Sequence, residues 1–370
     1  MTVQPPLAHI PATILYAADY ESHAVNHLAA PTLAWLIGGS GAEHTLRANR
    51  EAFVTRQILP RLLTNFSQTS TCLTLCNTTL EHPVLLAPLG HQSLLHPEGE
   101  RAVAQAAQAT DTCMVASALS SLPLEHIAAA THAPKWFQLY FQPRRDDTLR
   151  LMRRAESAGY GAIVLTLDTP VQPLSRRAQH AGFRLPDDLT PANLTDYAPL
   201  PQVALDPGQS ILLHGMMSEA PCWEDLAWLL TQTYLPIIVK GVAHPEDALR
   251  LQSMGVAGQI VSNHGGRSLD GMPATLHTLP ALRAVLGTPY PLLLDGGIRS
   301  GLDIFKALAS GADAVLIGRL QGYALAVAGA LGVAHMLRLL RDELELCMAL
   351  AGTPTLHDIT AHCLLGDARC

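Results

Sequence analysis

Residues 257–270, Ala-Gly-Gln-Ile-Val-Ser-Asn-His-Gly-Gly-Arg-Ser-Leu-Asp, decide how the rest of the chain is read. The apolar pair Ile260-Val261 ends a run too short for a helix, and the pattern stops at Ser262-Asn263. Such a run reads as a buried strand. The glycines that follow permit backbone angles and close approaches that other residues resist. His264 is thereby presented at a strand end, with Arg267 in the same turn. An imidazole exchanges a proton near neutral pH, and a guanidinium clamps a carboxylate through two parallel hydrogen bonds. The pair points to proton abstraction from a small acid. Taken alone, a strand-end histidine is as often a structural hydrogen-bonder, so the surrounding pattern must decide.

Seven more apolar runs of the same kind flank this one, at 84–88, 114–117, 135–140, 162–168, 236–240, 291–295 and 314–318. The spacing between them predicts helices over 98–110, 124–130, 149–158, 223–232, 245–254 and 303–310, with a closing helix over 333–350. Alternating β and α elements whose strands are buried on both faces make a parallel sheet. Eight such units make a closed (β/α)8 TIM barrel of the α/β class. An open doubly wound sheet would usually carry Gly-x-Gly-x-x-Gly after its first strand, and this chain has none there. The expected layout is one domain over 1–370. It comprises an N-terminal helical extension (1–82, with helices at 31–37 and 42–58), the barrel (83–352) and a tail (353–370). A long irregular insertion, about 169–222, follows strand 4.

Composition narrows the function. Of 370 residues, 48% are hydrophobic and 15% charged, which suits a large core and excludes a disordered or fibrous chain. The net charge of −7 and the lack of a dense Lys/Arg cluster argue against a nucleic-acid partner. No uninterrupted apolar run is long enough to predict a membrane span, and the N-terminus lacks the pattern of a signal peptide. The seven scattered cysteines give no metal-ligand spacing beyond Cys72 and Cys76, so they read as reduced thiols in a cytoplasmic protein, with no metal.

Polar residues gather at the C-terminal ends of the predicted strands: Ser117, Gln138, Tyr140, Thr166, Asp168, Lys240, His264, Arg267, Asp295, Arg299 and Arg319. Barrels of this kind build active sites on that edge. After strand 7 comes Asp295-Gly-Gly-Ile-Arg299-Ser-Gly301, and after strand 8 comes Gly318-Arg319. These two loops form the recurrent phosphate site of the fold. Glycine lets N–H groups approach phosphate oxygens, and a guanidinium neutralises them. Two tight turns with solvated arginines are the competing reading, and phosphate is favoured because both loops pair Gly with Arg.

Ser262-Asn-His-Gly-Gly-Arg-Ser-Leu-Asp270 resembles the active-site signature of the FMN-dependent 2-hydroxy acid dehydrogenase/oxidase family, which contains glycolate oxidase, lactate oxidase and mandelate dehydrogenases. His96-Pro-Glu-Gly-Glu100, Trp136-Phe-Gln-Leu-Tyr140, Leu165-Thr-Leu-Asp-Thr-Pro170, Val239-Lys-Gly241, Leu294-Asp-Gly-Gly-Ile-Arg299 and Ile317-Gly-Arg319 match it too. The resemblance implies FMN as cofactor. The ring would be held by Pro88, Leu89, Gly90, Ser117, Gln138, Thr166, Lys240 and Ser262, and the phosphate end by Asp295, Gly297, Arg299, Gly318 and Arg319. His264 would be the base, Asp168 its orienting carboxylate, Tyr140 a hydrogen-bond donor to substrate and Arg267 the carboxylate clamp. The substrate would be a small L-2-hydroxy acid oxidised to the 2-oxo acid, with oxygen or another electron acceptor, in a homotetramer.

Several positions depart from the family pattern. Ile37 stands where the family has a substrate-binding tyrosine. Its arginine after Asp-Thr-Pro falls at Ser175, which leaves Arg176 or Arg177 to serve if the loop shifts. Leu119 stands where short-chain oxidases carry a bulky aromatic. Gly90 replaces an alanine over the reactive nitrogen, leaving room for oxygen and for some decarboxylation of retained product. These changes predict a roomy apolar pocket preferring mandelate-like or medium-chain acids, beneath a lid supplied by the insertion. Peroxide is the expected main product. A lactate-type monooxygenase and a quinone-linked dehydrogenase are alternatives, as is, from another class, a catalytically impaired FMN-binding scaffold.

Overall fold

The computed structural model describes residues 3–197 and 203–366. Ahead of the barrel lie three helices, α1 (Asp19–Ala24), α2 (Ala30–Ile37) and α3 (His44–Thr55). A hairpin absent from the sequence reading follows, β1 (Leu73–Leu75) with β2 (Thr78–Leu80). Its turn residues Cys76 and Asn77 both have positive φ, as a two-residue hairpin turn requires. Three-residue strands around a Cys-Asn turn leave too short an alternation to be recognised. The hairpin plugs one end of the barrel: Leu75 and Leu80 pack with Leu85, Val115, Trp136, Ile238 and Leu316, and Trp136 Nε1 donates to Thr78 Oγ1 at 3.0 Å.

The eight expected strands are all present: β3 (Val84–Leu86), β4 (Cys113–Ser117), β5 (Lys135–Leu139), β6 (Ile163–Thr166), β7 (Ile237–Val242), β8 (Gly258–Val261), β9 (Leu292–Leu294) and β10 (Ala314–Ile317). They pair in parallel in chain order, and β10 closes on β3. Successive residues alternate between two cores, because side chains on a strand point to opposite faces. Leu85, Val164, Ile260 and Leu316 fill the barrel, while Val84, Leu86, Leu165 and Val261 pack outward under the helices. Removing such a side chain to Ala costs about 2–5 kcal/mol.

The helices that cover the barrel are α4 (Gly99–Ala109), α5 (Leu124–Ala129), α6 (Arg145–Ser157), α7 (Arg176–His180), α8 (Trp223–Leu230), α9 (Pro245–Ser253), α10 (Thr275–Leu286), α11 (Gly301–Ala309) and α12 (Arg319–Ala351). Three differ from expectation. Helix α7 lies within the insertion read as irregular. Helix α10 occupies a stretch to which no element was assigned, where Pro280 obscured the pattern. Helix α12 begins at Arg319, far ahead of 333, and is bent by non-helical angles at Ala328 and Gly329. By length and composition α12 could cross a membrane, but it lies largely buried against the barrel and against α4 and α11.

Candidate active site

A cavity of about 490 Å3 opens at the C-terminal ends of the strands, within the size range of small-molecule sites. The strand-8 turn sets its chemistry. His264 has φ 56, a left-handed conformation, and its N–H donates to Ser262 Oγ at 3.0 Å. Gly265 and Gly266 also have positive φ, and a side chain at Gly266 would strike the backbone of Leu46 at 2.7 Å. This turn is therefore pressed against α3, which fixes where His264 points.

His264 Nδ1 lies 2.8 Å from Asp168 Oδ1, at the end of β6. With its Nδ1–H donated to that carboxylate, the imidazole keeps Nε2 as an acceptor. Burial alone would raise the pKa of Asp168, but the charge of Lys240 and the contact with His264 outweigh it and hold the carboxyl below its ordinary range. Beneath them Lys240 Nζ meets Ser262 Oγ at 2.8 Å and Asp295 Oδ2 at 3.1 Å, and Ser262 Oγ donates to Asp295 Oδ1 at 2.7 Å. Burial opposes the lysine's charge, yet Asp295 and Asp168 prevail and raise its pKa. The site thus carries a fixed cation on its floor.

Two arginines carry the strongest functional signal. Arg267 donates from Nη1 to the carbonyls of Trp35 (2.7 Å) and Gly38 (3.1 Å). Arg319 donates to the carbonyls of Leu36 (3.1 Å), Gly265 (2.8 Å) and Gly38 (2.8 Å). Among the described residues neither forms an ion pair with a carboxylate. Burial lowers the pKa of both; for Arg319, burial and then the neighbouring Arg267 charge bring it to about 9. Both are half-buried and open on the cavity, and a partly desolvated charge without a counter-charge favours an anion beside it. Two of them lining one cavity suit two anionic groups.

The same cavity holds unsatisfied polar atoms suited to a flat heterocycle. Gln138 Oε1 accepts from Ser117 Oγ and Ala118 N, while its Nε2 is buried without a protein partner, as is Thr166 Oγ1. Space is open around Gly318, where an added Cβ would meet only Ala87 at 4.0 Å. Pro88, Leu89, Gly90, Tyr140 and Asp295 complete the wall. These residues fit a flavin ring with a phosphate tail.

Three expectations need correction. Ile37 does not line this cavity but a second one, beyond Arg319; Trp35 lines the first. Residues two apart on a helix point about 200° apart, so a helix presenting Trp35 inward turns Ile37 away. Arg176 is exposed and absent from the cavity wall, and Arg177 is committed to Glu43, its Nε 2.8 Å from Oε1. Ser175 and Gln179 face the cavity instead. Gly90 leaves no room: a Cβ there would lie 2.9 Å from Leu119 Cβ.

Three phosphate-end residues, Gly297, Arg299 and Gly318, lie off the central wall. Gly297, at φ 90, packs so closely on α3 that a Cβ would strike Asn49 O, while Arg299 pairs with Glu21. The sequence reading missed Trp35, Gln172, Leu174, Phe183 and Leu185, which close the mouth; Trp35 and Phe183 stack with centroids 5.5 Å apart. Apart from Trp35 they belong to the irregular insertion, which has no periodicity to place them.

The Gly90 contact is testable by stability. Overpacking costs about 1–3 kcal/mol, so Gly90→Ala is expected to lower Tm and Leu119→Ala in the same chain to recover part of the loss. Unchanged melting of the single variant would mean that the space is open after all.

A histidine held by a carboxylate at a strand end, two guanidiniums without carboxylate partners and a lysine floor, on a closed β/α barrel, suit a flavin-dependent oxidoreductase of small acids. The chain belongs to the FMN-dependent dehydrogenase family, whose pattern matches residues 24–365, and it is an FMN-dependent 2-hydroxy acid oxidoreductase. It is 56% identical over 355 residues to an L-lactate oxidase of Alicycliphilus denitrificans, covering 96% of this chain and 97% of that one. It is 42% identical over 327 residues to a peroxisomal (S)-2-hydroxyacid oxidase of Arabidopsis thaliana, covering 87% of this chain and 88% of that one. Among solved structures, mandelate oxidase with (S)-2-phenylpropionate matches with a TM-score of 0.85 and 38% identity, covering 95% of this chain and 98% of that one.

Proposed function

We propose that the protein oxidises a short-chain L-2-hydroxy acid of lactate size to the 2-oxo acid, with oxygen as electron acceptor and hydrogen peroxide as product. The observation that carries this reading is one cavity shared by a carboxylate-bound imidazole, His264, and a half-buried guanidinium, Arg267, that has no carboxylate partner among the described residues. FMN supplies the acceptor for the two electrons that leave the acid. Arg267 holds the substrate carboxylate and Tyr140 its hydroxyl, while Asp168 keeps the imidazole oriented with Nε2 unprotonated. His264 takes the proton released as the C2–OH becomes a carbonyl, and Asp168 stabilises the imidazolium that results. The ammonium of Lys240 offsets negative charge that develops on the ring.

Chain length follows from the walls. The preference for aryl acids rested partly on Ile37 and on space at Gly90, and neither opens the cavity. Trp35, Leu119, Phe183 and Leu185 line the same cavity as the clamp, an apolar wall against which the methyl group of a lactate-sized acid buries its surface. The 56%-identical L-lactate oxidase supports the same choice. The deciding measurement is kcat/KM for glycolate, lactate, 2-hydroxyoctanoate and mandelate, with peroxide counted per acid consumed. Lactate is expected to lead mandelate by at least about tenfold, since one misfitted group is worth about 1–3 kcal/mol. Mandelate in first place would overturn the size assignment, and acetate in place of pyruvate would replace the oxidase with a monooxygenase.

A further inference from the structure

Beyond Arg319 lies a second cavity of about 300 Å3, lined by residues of the barrel and of the N-terminal extension. Arg319 forms part of the wall of both cavities. On the far side stand Arg299, Tyr323, Arg50 and Glu21. Arg50, on α3, donates from Nη1 to the carbonyl of Gly297 at 2.8 Å, within the strand-7 loop itself. Its pKa is lowered, first by desolvation and then by the positive charge of Arg299. Glu21, on α1, accepts from Arg299 Nε at 2.9 Å, and its other oxygen lies 3.5 Å from the Tyr323 hydroxyl. Arg299 is largely buried, whereas the Glu21 side chain is 46% exposed.

We propose that the N-terminal extension takes part in binding the phosphate of the cofactor, with Arg50 as a further guanidinium of the phosphate site and Glu21 as an internal carboxylate competing with the phosphate for Arg299. Five arginines line this cavity. Arg177 is held by Glu43 and Arg47 by the Ala42 carbonyl. Arg50, Arg299 and Arg319, from three elements, converge where the strand-7 and strand-8 loops meet, and among the described residues only Arg299 of these three is paired with a carboxylate. A phosphate dianion gains from each guanidinium and is repelled by Glu21. The proposal rests on the assignment of Arg299 and Arg319 to the phosphate.

The test compares FMN with riboflavin, which has the same ring and no phosphate. Apoprotein is titrated with each flavin and its fluorescence quenching read as Kd. Glu21→Gln keeps an oxygen to accept from Arg299 Nε and removes the charge. It is expected to tighten FMN binding roughly three- to tenfold, a modest effect because the carboxylate is half-exposed and salt-screened. Riboflavin binding should not change, and the gain should shrink as salt rises. Arg50→Gln is expected to weaken FMN by a similar factor, again sparing riboflavin, with Arg50→Lys recovering part of it. Equal effects on both flavins, or none, would overturn the proposal while Arg319→Gln still abolishes the preference for FMN. If Arg319→Gln leaves that preference intact, the phosphate lies elsewhere and the proposal falls with its premise.

Discussion

Replacing His264 with Asn is expected to leave the protein yellow while slowing anaerobic flavin reduction by about 10²–10⁴, the range for loss of a general base. Asn is the replacement of choice because position 264 has φ 56, and Asn tolerates the left-handed region better than most side chains. Backbone strain is thus kept constant, and the N–H that donates to Ser262 Oγ is retained. What disappears is an acceptor of the right basicity on the ring. Asp168→Asn should lose a comparable factor by another route, since the carboxylate that orients and stabilises the imidazolium is replaced by a neutral amide. The two losses should not add, because the 2.8 Å contact makes the residues one unit. The pH sense follows from the depressed pKa of Asp168. A carboxyl held below its ordinary range contributes stability above that range and loses it as pH falls through the folded value. Single-turnover stopped-flow reduction checks the rates, and near-normal reduction in the Asn variant would place the base elsewhere.

Why the strands were legible and part of the site was not comes down to burial. A strand such as Ile163–Thr166 is buried along its whole length, so its sequence is a short apolar block whichever way it faces. Polar residues appear at or near the C-terminal end of such a strand because that end reaches the cavity, which is why Thr166, Gln138, Lys240 and His264 could be picked out from the sequence. The wall supplied by the insertion obeys no such rule. Leu174, Phe183 and Leu185 face the cavity from a chain with little regular structure, and nothing in their spacing separates them from exposed neighbours such as Arg176. Ile37 failed for a different reason. Its position was fixed by counting from Ser40, while orientation on α2 is set by which face packs on the barrel. Gly90 failed because the absence of a side chain is not space until its neighbour, Leu119, has been placed.

Arg267→Leu is the second large effect, expected to lower kcat/KM for a 2-hydroxy acid by roughly thirty- to several-thousandfold. That range corresponds to the 2–5 kcal/mol typical of truncating one partner of a buried, hydrogen-bonded charge pair. Arg267 is half-buried at the cavity wall, and among the described residues its guanidinium meets two carbonyls and the Trp35 ring, whose centroid lies 5.4 Å away, but no carboxylate. On the proposed function, a substrate carboxylate supplies the missing counter-charge, which is why a large loss is expected. Leucine removes the charge but frees the carbonyls of Trp35 and Gly38, so some of the loss could reflect a displaced α2. Comparing an acid with its amide separates the two causes. If Arg267 recognises negative charge, the native protein prefers lactate to lactamide by a large factor, and Arg267→Leu should bring that ratio close to one while Arg267→Lys keeps part of it. A ratio that survives in the Leu variant would assign the clamp to another cation, with Arg319 the first to test because it lines the same cavity.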